Sequence, residues 1–524
     1  MCRAWMLRRA TDVRTIGYSN NGALEKFGMA AQSNFNVVET TIGDIHAAYK
    51  AGTLTARQLV QAYLDRIAAY DKQGPAINAV ISLNPKALEE ADRLDAAFKA
   101  GGPVGPLHGI PIIMKDQADV DGMPTTMGSV LFEGHMPGRD CTVAARLKQA
   151  GAIFIGKATL GEMGAGDTHG SLFGSTRCVY DLERTAGGSS GGSGAAVSAN
   201  FCAVAIGQEG FASIRRPSIW NGVVGMRPTA GLVSRGGVYA GWPSIHGSLG
   251  PMCRSVMDAA RLLDGMVGYD PIDPITARGV GQAPESYAAL LDKAALKGAR
   301  IGILREPMGY HTEPDSEDFK AVDDVFNAAV RDLAKAGATI VDPITIPDLK
   351  ALLATRAGSA EEDEESFKEY VNGSATAPYK TRADVLASPK FAKTLHGVHE
   401  RWKAQHSTEK RRVYLEAREL LMTRMLAVMA DHKLDAIVHK AVEHTPTLIE
   451  HGIKAPFVDQ KGAPHINTFL VFVPSVVVPA GFTKTNLPAG ITFLGRPYDD
   501  ARMLRLAYAY EQATKHRKAP MTTP

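Results

Sequence analysis

Three groups of residues carry side chains that could make and break a bond. The densest is Ala186-Gly187-Gly188-Ser189-Ser190-Gly191-Gly192-Ser193-Gly194, with five glycines and three serines in nine positions. Neither a helix interior nor a strand interior suits that composition. A flexible linker does not fit a run that leads straight into AAVSAN and an apolar segment. A phosphate-binding loop would end in Gly-Lys-Ser/Thr, which is missing. What remains is a turn whose glycines let backbone approach a reacting group and whose serine hydroxyls are presented to it. The second group is Gln208-Glu209-Gly210-Phe211-Ala212-Ser213-Ile214-Arg215-Arg216-Pro217. It follows an apolar run, so Ser213 falls in a turn at a strand exit, where consecutive N–H groups can converge on one oxyanion. The third is Lys115, which ends IPIIMK. Its apolar neighbours would desolvate the ammonium, lower its pKa and leave it able to accept a proton near neutrality.

Each feature taken alone has a competing reading. Gly187-x-Ser189-x-Gly191 matches the nucleophile elbow of Ser-His α/β-hydrolase esterases, which needs an acid and a histidine downstream. His246, His396, His399 and His465 are available for that role. Lys115 could pair with Asp116 or extend to solvent.

These groups need rigid elements to position them. LHGIPIIMKD, AIFIGK (152–157) and FCAVAIG (201–207) read as buried strands, two of which end at the candidate residues. RIGIL (300–304), TIVDP (339–343), LDAIVH (434–439), SVVVPAG (475–481) and AGITFLG (489–495) continue the series. Thr55 and Gln58 have capping-box spacing, with Leu59, Tyr63 and Ile67 recurring behind them. Asn84-Pro85 opens a second helix that Gly101-Gly102-Pro103 ends. Strands apolar throughout and separated by helices predict an α/β fold, a large β-sheet core covered by helices on both faces. Residues 316–336 and 408–432 read as long amphipathic helices, and 358–400 as a charged stretch of irregular pattern. Residues 310–432 are thus expected to form a helical elaboration that could cover the active site.

In combination the three groups resemble the amidase-signature hydrolases. That family shows Lys at the end of a PIIMKD-like strand, then GGSSGGS, then a serine in S-I-R-x-P, in this order. Ser213 follows Ser189 by 24 positions, the family's spacing between its two serines. The likeness continues through GVVGMRPTAGLVSR (222–235), GPMCRSVMDAARLL (250–263), VVVPAGF (476–482) and LPAGITFLGRPYDDARMLRLAYAYEQAT (487–514). It implies an amidase-signature fold with a mixed sheet. It also implies a Ser-cisSer-Lys triad: Ser213 as nucleophile, Lys115 as terminal base, and Ser189 between them after a cis Gly188–Ser189 bond. The N–H groups of Gly210, Phe211, Ala212 and Ser213 would form the oxyanion hole, with no metal or cofactor. The implied activity is amide hydrolysis through an acyl-enzyme, extending to esters or carbamates. An amidotransferase subunit is the alternative within the family. Two departures stand out. The family's T-D-x-G-G-S is Q-E-G-F-A-S here, so the loop carries side chains and Phe211 can line the substrate site. The Asp that often precedes the family's G-P-M segment is replaced by His246-Gly247-Ser248-Leu249.

Composition bounds the rest. The chain has 524 residues, 45% of them apolar, enough for one large core. Lys and Arg number 58 against 55 Asp and Glu, a net +3 that carries no signature of nucleic-acid or anionic-lipid binding. The expected partner is a small-molecule amide, with no nucleic acid and no membrane, for a monomer or homodimer. The five cysteines, at 2, 141, 178, 202 and 253, have no metal-ligand spacing and read as reduced thiols in a cytoplasmic protein. Residues 1–36 read as a poorly ordered N-terminal extension, with Met29 as an alternative start, and 37–520 as a single amidase-signature domain.

Overall fold

The computed structural model describes residues 35–239, 247–358 and 360–524. All eight apolar runs named above form strands. The sheet comprises β1 (Val80–Leu83), β2 (Pro111–Lys115), β3 (Ile153–Ala158), β4 (Val204–Glu209), β5 (Val224–Arg227) and β6 (Ser248–Cys253). It continues with β7 (Arg300–Leu304), β8 (Thr339–Ile344), β9 (Ala436–Lys440), β10 (Ser475–Phe482) and β11 (Pro488–Leu494). Their spatial order is β1-β3-β2-β4-β6-β5-β10-β11-β9-β7-β8. The sheet is mixed: β3, β2 and β4 run parallel, as do β9, β7 and β8, while the strands between these groups pair antiparallel.

Every residue of β2, β3, β4, β5, β6, β9 and β11 is buried, so both faces of the central sheet are covered. The edge departs from that pattern. In β8 only Ile344 is fully buried, and the strand carries Pro343, which an edge position tolerates because no ladder N–H is required there.

The capping box is formed: Thr55 accepts from the Gln58 amide and opens α1 (Ala56–Tyr70). The helix after Asn84-Pro85 is α2 (Ala87–Gly101). The glycine-rich run leads into α3 (Gly191–Ser198), and the segment after Ser213 forms α4 (Arg215–Trp220). Residues 316–336 contain α5 (Glu317–Lys335). The stretch 358–400 is more regular than its sequence predicts. It holds α6 (Ala360–Asn372), α7 (Arg382–Ala387) and the start of α8 (His396–Lys403). Phe367, Tyr370, Val371, Val385, Val398 and Trp402 bury their side chains in one cluster with Met127, Leu131 and Phe132. These apolar positions are spread thinly among charges, which hides the helical period in the sequence. The long helix α9 (Thr408–Asp431) follows. No described helix is long and apolar enough to cross a membrane.

Candidate active site

Strands β2 and β4 lie side by side and parallel, with Ile112, Ile113 and Met114 opposite Val204, Ala205 and Ile206. Their C-terminal ends therefore meet. One end carries Lys115 and the other the turn from Gln208 to Ser213.

Lys115 is fully buried, and its Nζ lies 2.7 Å from Ser189 Oγ and 3.2 Å from the Gln208 carbonyl oxygen. It does not pair with Asp116. That carboxylate is taken by Lys157 at 3.0 Å and by the Thr126 amide at 3.0 Å. Nor does Lys115 reach solvent. Burial drives its pKa well below the ordinary 10.5, with the charge of Glu209 acting in the opposite direction.

The hydroxyls of the glycine-rich run have different partners. Ser193 Oγ donates to the Ile206 carbonyl at 2.9 Å, and Ser190 Oγ bonds to the backbone of Gln208 at 3.2 Å. Both hold the run against β4. Ser189 alone of the three faces Lys115. The Gly188–Ser189 peptide is cis. The Ser190 amide donates to the Ser213 carbonyl at 3.0 Å, which ties the two candidate serines' segments together.

Ser213 is half-buried on the wall of a cavity of about 520 Å³. Among the described residues no hydrogen bond involves its Oγ, and none uses the amides of Gly210, Phe211, Ala212 or Ser213 as donors. The turn is shaped by Glu209. Its buried carboxylate accepts from the amides of Ile214 at 2.8 Å and Arg215 at 2.9 Å, and from Arg215 Nε at 2.7 Å. Burial raises the Glu209 pKa, but Arg215 and Arg227 outweigh it and hold the carboxyl below its usual range. Two amides are thus drawn to Glu209, while the four preceding ones have no acceptor among the described residues.

Phe211 lines the cavity as its side chain allows, and the Arg356 guanidinium lies 4.1 Å from its ring centre. Arg356 and His396, both from the 310–432 stretch, line the same cavity as Ser213, together with Phe457. His396 stacks on Phe457, with ring centres 4.1 Å apart. His399 bonds to the Phe391 carbonyl at 2.8 Å. His465 meets Phe211 edge to face, 6.0 Å between centres, and burial lowers its pKa to about 4. None of these three bonds to Ser189 or Ser213, so the elbow lacks its histidine among the described residues. His246 lies outside them. Cys141, Cys178, Cys202 and Cys253 are free and buried, with pKa values raised by burial.

Sequence reasoning missed Asp167, Arg216 and Asp459. Arg216 pairs with Asp167 at 2.6 Å, and the Asp167 amide donates to Asp459 at 2.6 Å. Two adjacent arginines, second and third after the candidate nucleophile, were the available signal for Arg216.

A family model described as Amidase matches residues 58–504. A probable amidase of Arabidopsis thaliana is 32% identical over 512 residues, covering 93% of this chain and 92% of its own. A glutamyl-tRNA(Gln) amidotransferase subunit of Heliobacterium modesticaldum is 34% identical, over 92% of this chain and 98% of its own. Among solved structures, the native peptide amidase of Stenotrophomonas maltophilia superposes with a TM-score of 0.81 at 34% identity. That match covers 93% of this chain and 99% of the other.

Proposed function

The chain belongs to the amidase family, and from that premise we propose that it hydrolyses amides through a Ser213 acyl-enzyme, with Lys115 and Ser189 moving the proton. It is a hydrolase of amide C–N bonds. The observation that carries the mechanism is a fully buried lysine 2.7 Å from a serine hydroxyl, with no carboxylate in ion-pair contact among the described residues. Burial favours the neutral, basic form of such an amine. It takes the Ser189 proton while Ser189 takes that of Ser213, and Ser213 Oγ bonds to the substrate carbonyl carbon. The amides of Gly210, Phe211, Ala212 and Ser213 hold the oxyanion. The relay then returns the proton to the departing nitrogen as the C–N bond breaks. Water repeats the sequence on the acyl ester and releases the acid, regenerating the Ser213 hydroxyl.

The same tetrahedral chemistry extends to activated esters and carbamates. The protein is proposed to work in the cytoplasm, in keeping with four buried free thiols. A second reading, as part of an amidotransferase, draws on the 34% identity to the Heliobacterium protein. An assay on a simple anilide, an activated ester and glutamine separates the two, since a component of that kind would release ammonia from glutamine and spare the anilide. The test of the nucleophile is labelling with a fluorophosphonate followed by peptide mapping. The adduct is expected on Ser213 and lost in Ser213→Ala. An adduct on Ser189 or Ser190 would transfer the role to the elbow.

A further inference from the structure

Arg216 is the third residue after Ser213 and projects from α4, the helix that begins directly behind the nucleophile. Its side chain is 1% exposed. One end of the guanidinium, Nη2, donates to the carbonyl oxygen of Gly188 at 3.0 Å and contacts that of Gly166 at 3.5 Å. The same nitrogen lies 2.6 Å from Asp167 Oδ1. The Trp220 ring lies beneath the guanidinium, 5.2 Å from its central carbon. Asp167 is in turn fixed by Asp459, whose Oδ1 accepts the Asp167 amide at 2.6 Å. Both aspartates line the substrate cavity.

A buried guanidinium is costly unless something uses it. Here it joins three segments. One is the nucleophile's helix, one the peptide that carries Ser189, and one the cavity wall at 166–167. The Gly188 carbonyl belongs to the peptide unit whose nitrogen is that of Ser189. Holding that oxygen fixes the plane of the unit and hence the direction in which Ser189 leaves it. Ser190 supplies a backbone tie between the same segments, but that tie lies on the far side of Ser189 in the chain. The chain is thus gripped on both sides of Ser189, whose hydroxyl lies 2.7 Å from Lys115 Nζ.

Resting on the relay proposed above, we infer that Arg216 is a positioning residue of the reaction, clamped by Asp167, and that it holds Ser189 in line between base and nucleophile. The Gly188 carbonyl and Asp167 are both met by Nη2, which the rigid planar guanidinium holds in place, whereas an ammonium is a point charge on a flexible stem. Displacing one relay member by a fraction of an ångström slows turnover without weakening substrate binding.

The experiment compares Arg216→Lys, Arg216→Ala and Asp167→Asn with the parent enzyme on a neutral anilide. Thermal midpoint, kcat and KM are read separately. Arg216→Ala is expected to lose at least ~30-fold in kcat with KM changed less than about threefold, as befits a geometry that matters in the transition state. Arg216→Lys should recover only part of that loss. Guanidinium ion added at millimolar concentration should restore kcat in Arg216→Ala and not in Ser189→Ala. The inference is overturned if Arg216→Lys turns over at the parent rate. It is equally overturned if guanidinium restores nothing in a folded Arg216→Ala, or if kcat falls only in step with the folded fraction. Ser213→Ala, run alongside, separates the two levels. Activity persisting there would remove the relay itself. Inactivity there with a normal Arg216→Lys would remove the inference about Arg216 alone.

Discussion

A lysine buried at the end of a strand has three fates: pairing, extension to solvent, or loss of its charge. Lys115 is pressed toward the third, because Asp116 is occupied by Lys157, the side chain is sealed from water and burial drives its pKa well below 10.5. Its hydrogen-bond partners are a hydroxyl and a carbonyl, both neutral. Ser189→Ala should therefore lower kcat/KM by at least ~100-fold, the low end of what positioned proton transfer contributes. Replacing His396, His399 or His465 by Ala should match that loss in no case, as read in the same anilide assay. A comparable loss from any one of them would reinstate a histidine base. The neighbour at the other end of the turn, Glu209, is a structural charge. Its carboxylate answers Arg215 and Arg227 in a fully buried site. Glu209→Gln leaves both guanidinium groups buried and underpaired. It should cost about 3 kcal/mol or more of unfolding free energy by denaturant titration. An unchanged transition would show that the pair contributes nothing to the turn.

At the scale of elements, the site is a consequence of two parallel strands ending together and of a glycine run that packs on one of them. This much was legible in the sequence. Strands β2 and β4 are uninterrupted apolar runs with polar residues at their ends, and a block of glycines at 187–194 admits few other structures. Three strands were not anticipated. Val80–Leu83 is short and half exposed, Val224–Arg227 has four residues, and Ser248–Cys253 contains Gly250 and Pro251, which read as turn residues. The Asp167–Asp459 contact spans 292 positions and leaves no local trace. The helices of 358–400 were obscured because their apolar residues serve a small cluster instead of the main core. Phe211 departs from the family's glycine, and its ring, packed under Arg356, narrows the cavity beside Ser213. Phe211→Gly should broaden the accepted acyl groups. It should raise KM for small amides about tenfold, as expected when a buried aromatic contact of about 1.4 kcal/mol is removed. A specificity profile unchanged by the substitution would place Phe211 outside the binding surface.

At the scale of the molecule, the described chain from Phe35 to Pro524 clusters as one compact unit, and its buried core begins at Val37. Removing residues 1–28 should leave activity and the thermal midpoint nearly unchanged, because their sequence has no apolar periodicity and precedes the family match at 58–504. A large drop in the midpoint of the truncated protein would contradict that expectation. The whole fold also sets the charge state on which the chemistry depends. The sheet, the glycine run and the Gln208 turn together exclude water from Lys115, so its ionisation is shifted below 10.5. In the proposed relay the active form is the neutral amine. Activity must then fall as pH falls through that shifted pKa and level off above it. The measurement that tests this most directly is kcat/KM against pH for the intact enzyme and for Lys115→Arg, on one neutral anilide. A single rise to an alkaline plateau is expected in the parent. A loss of at least ~100-fold is expected in Lys115→Arg at every pH, because guanidinium stays protonated. Near-normal turnover in Lys115→Arg would contradict it, because Lys115 would then act only as a fixed charge.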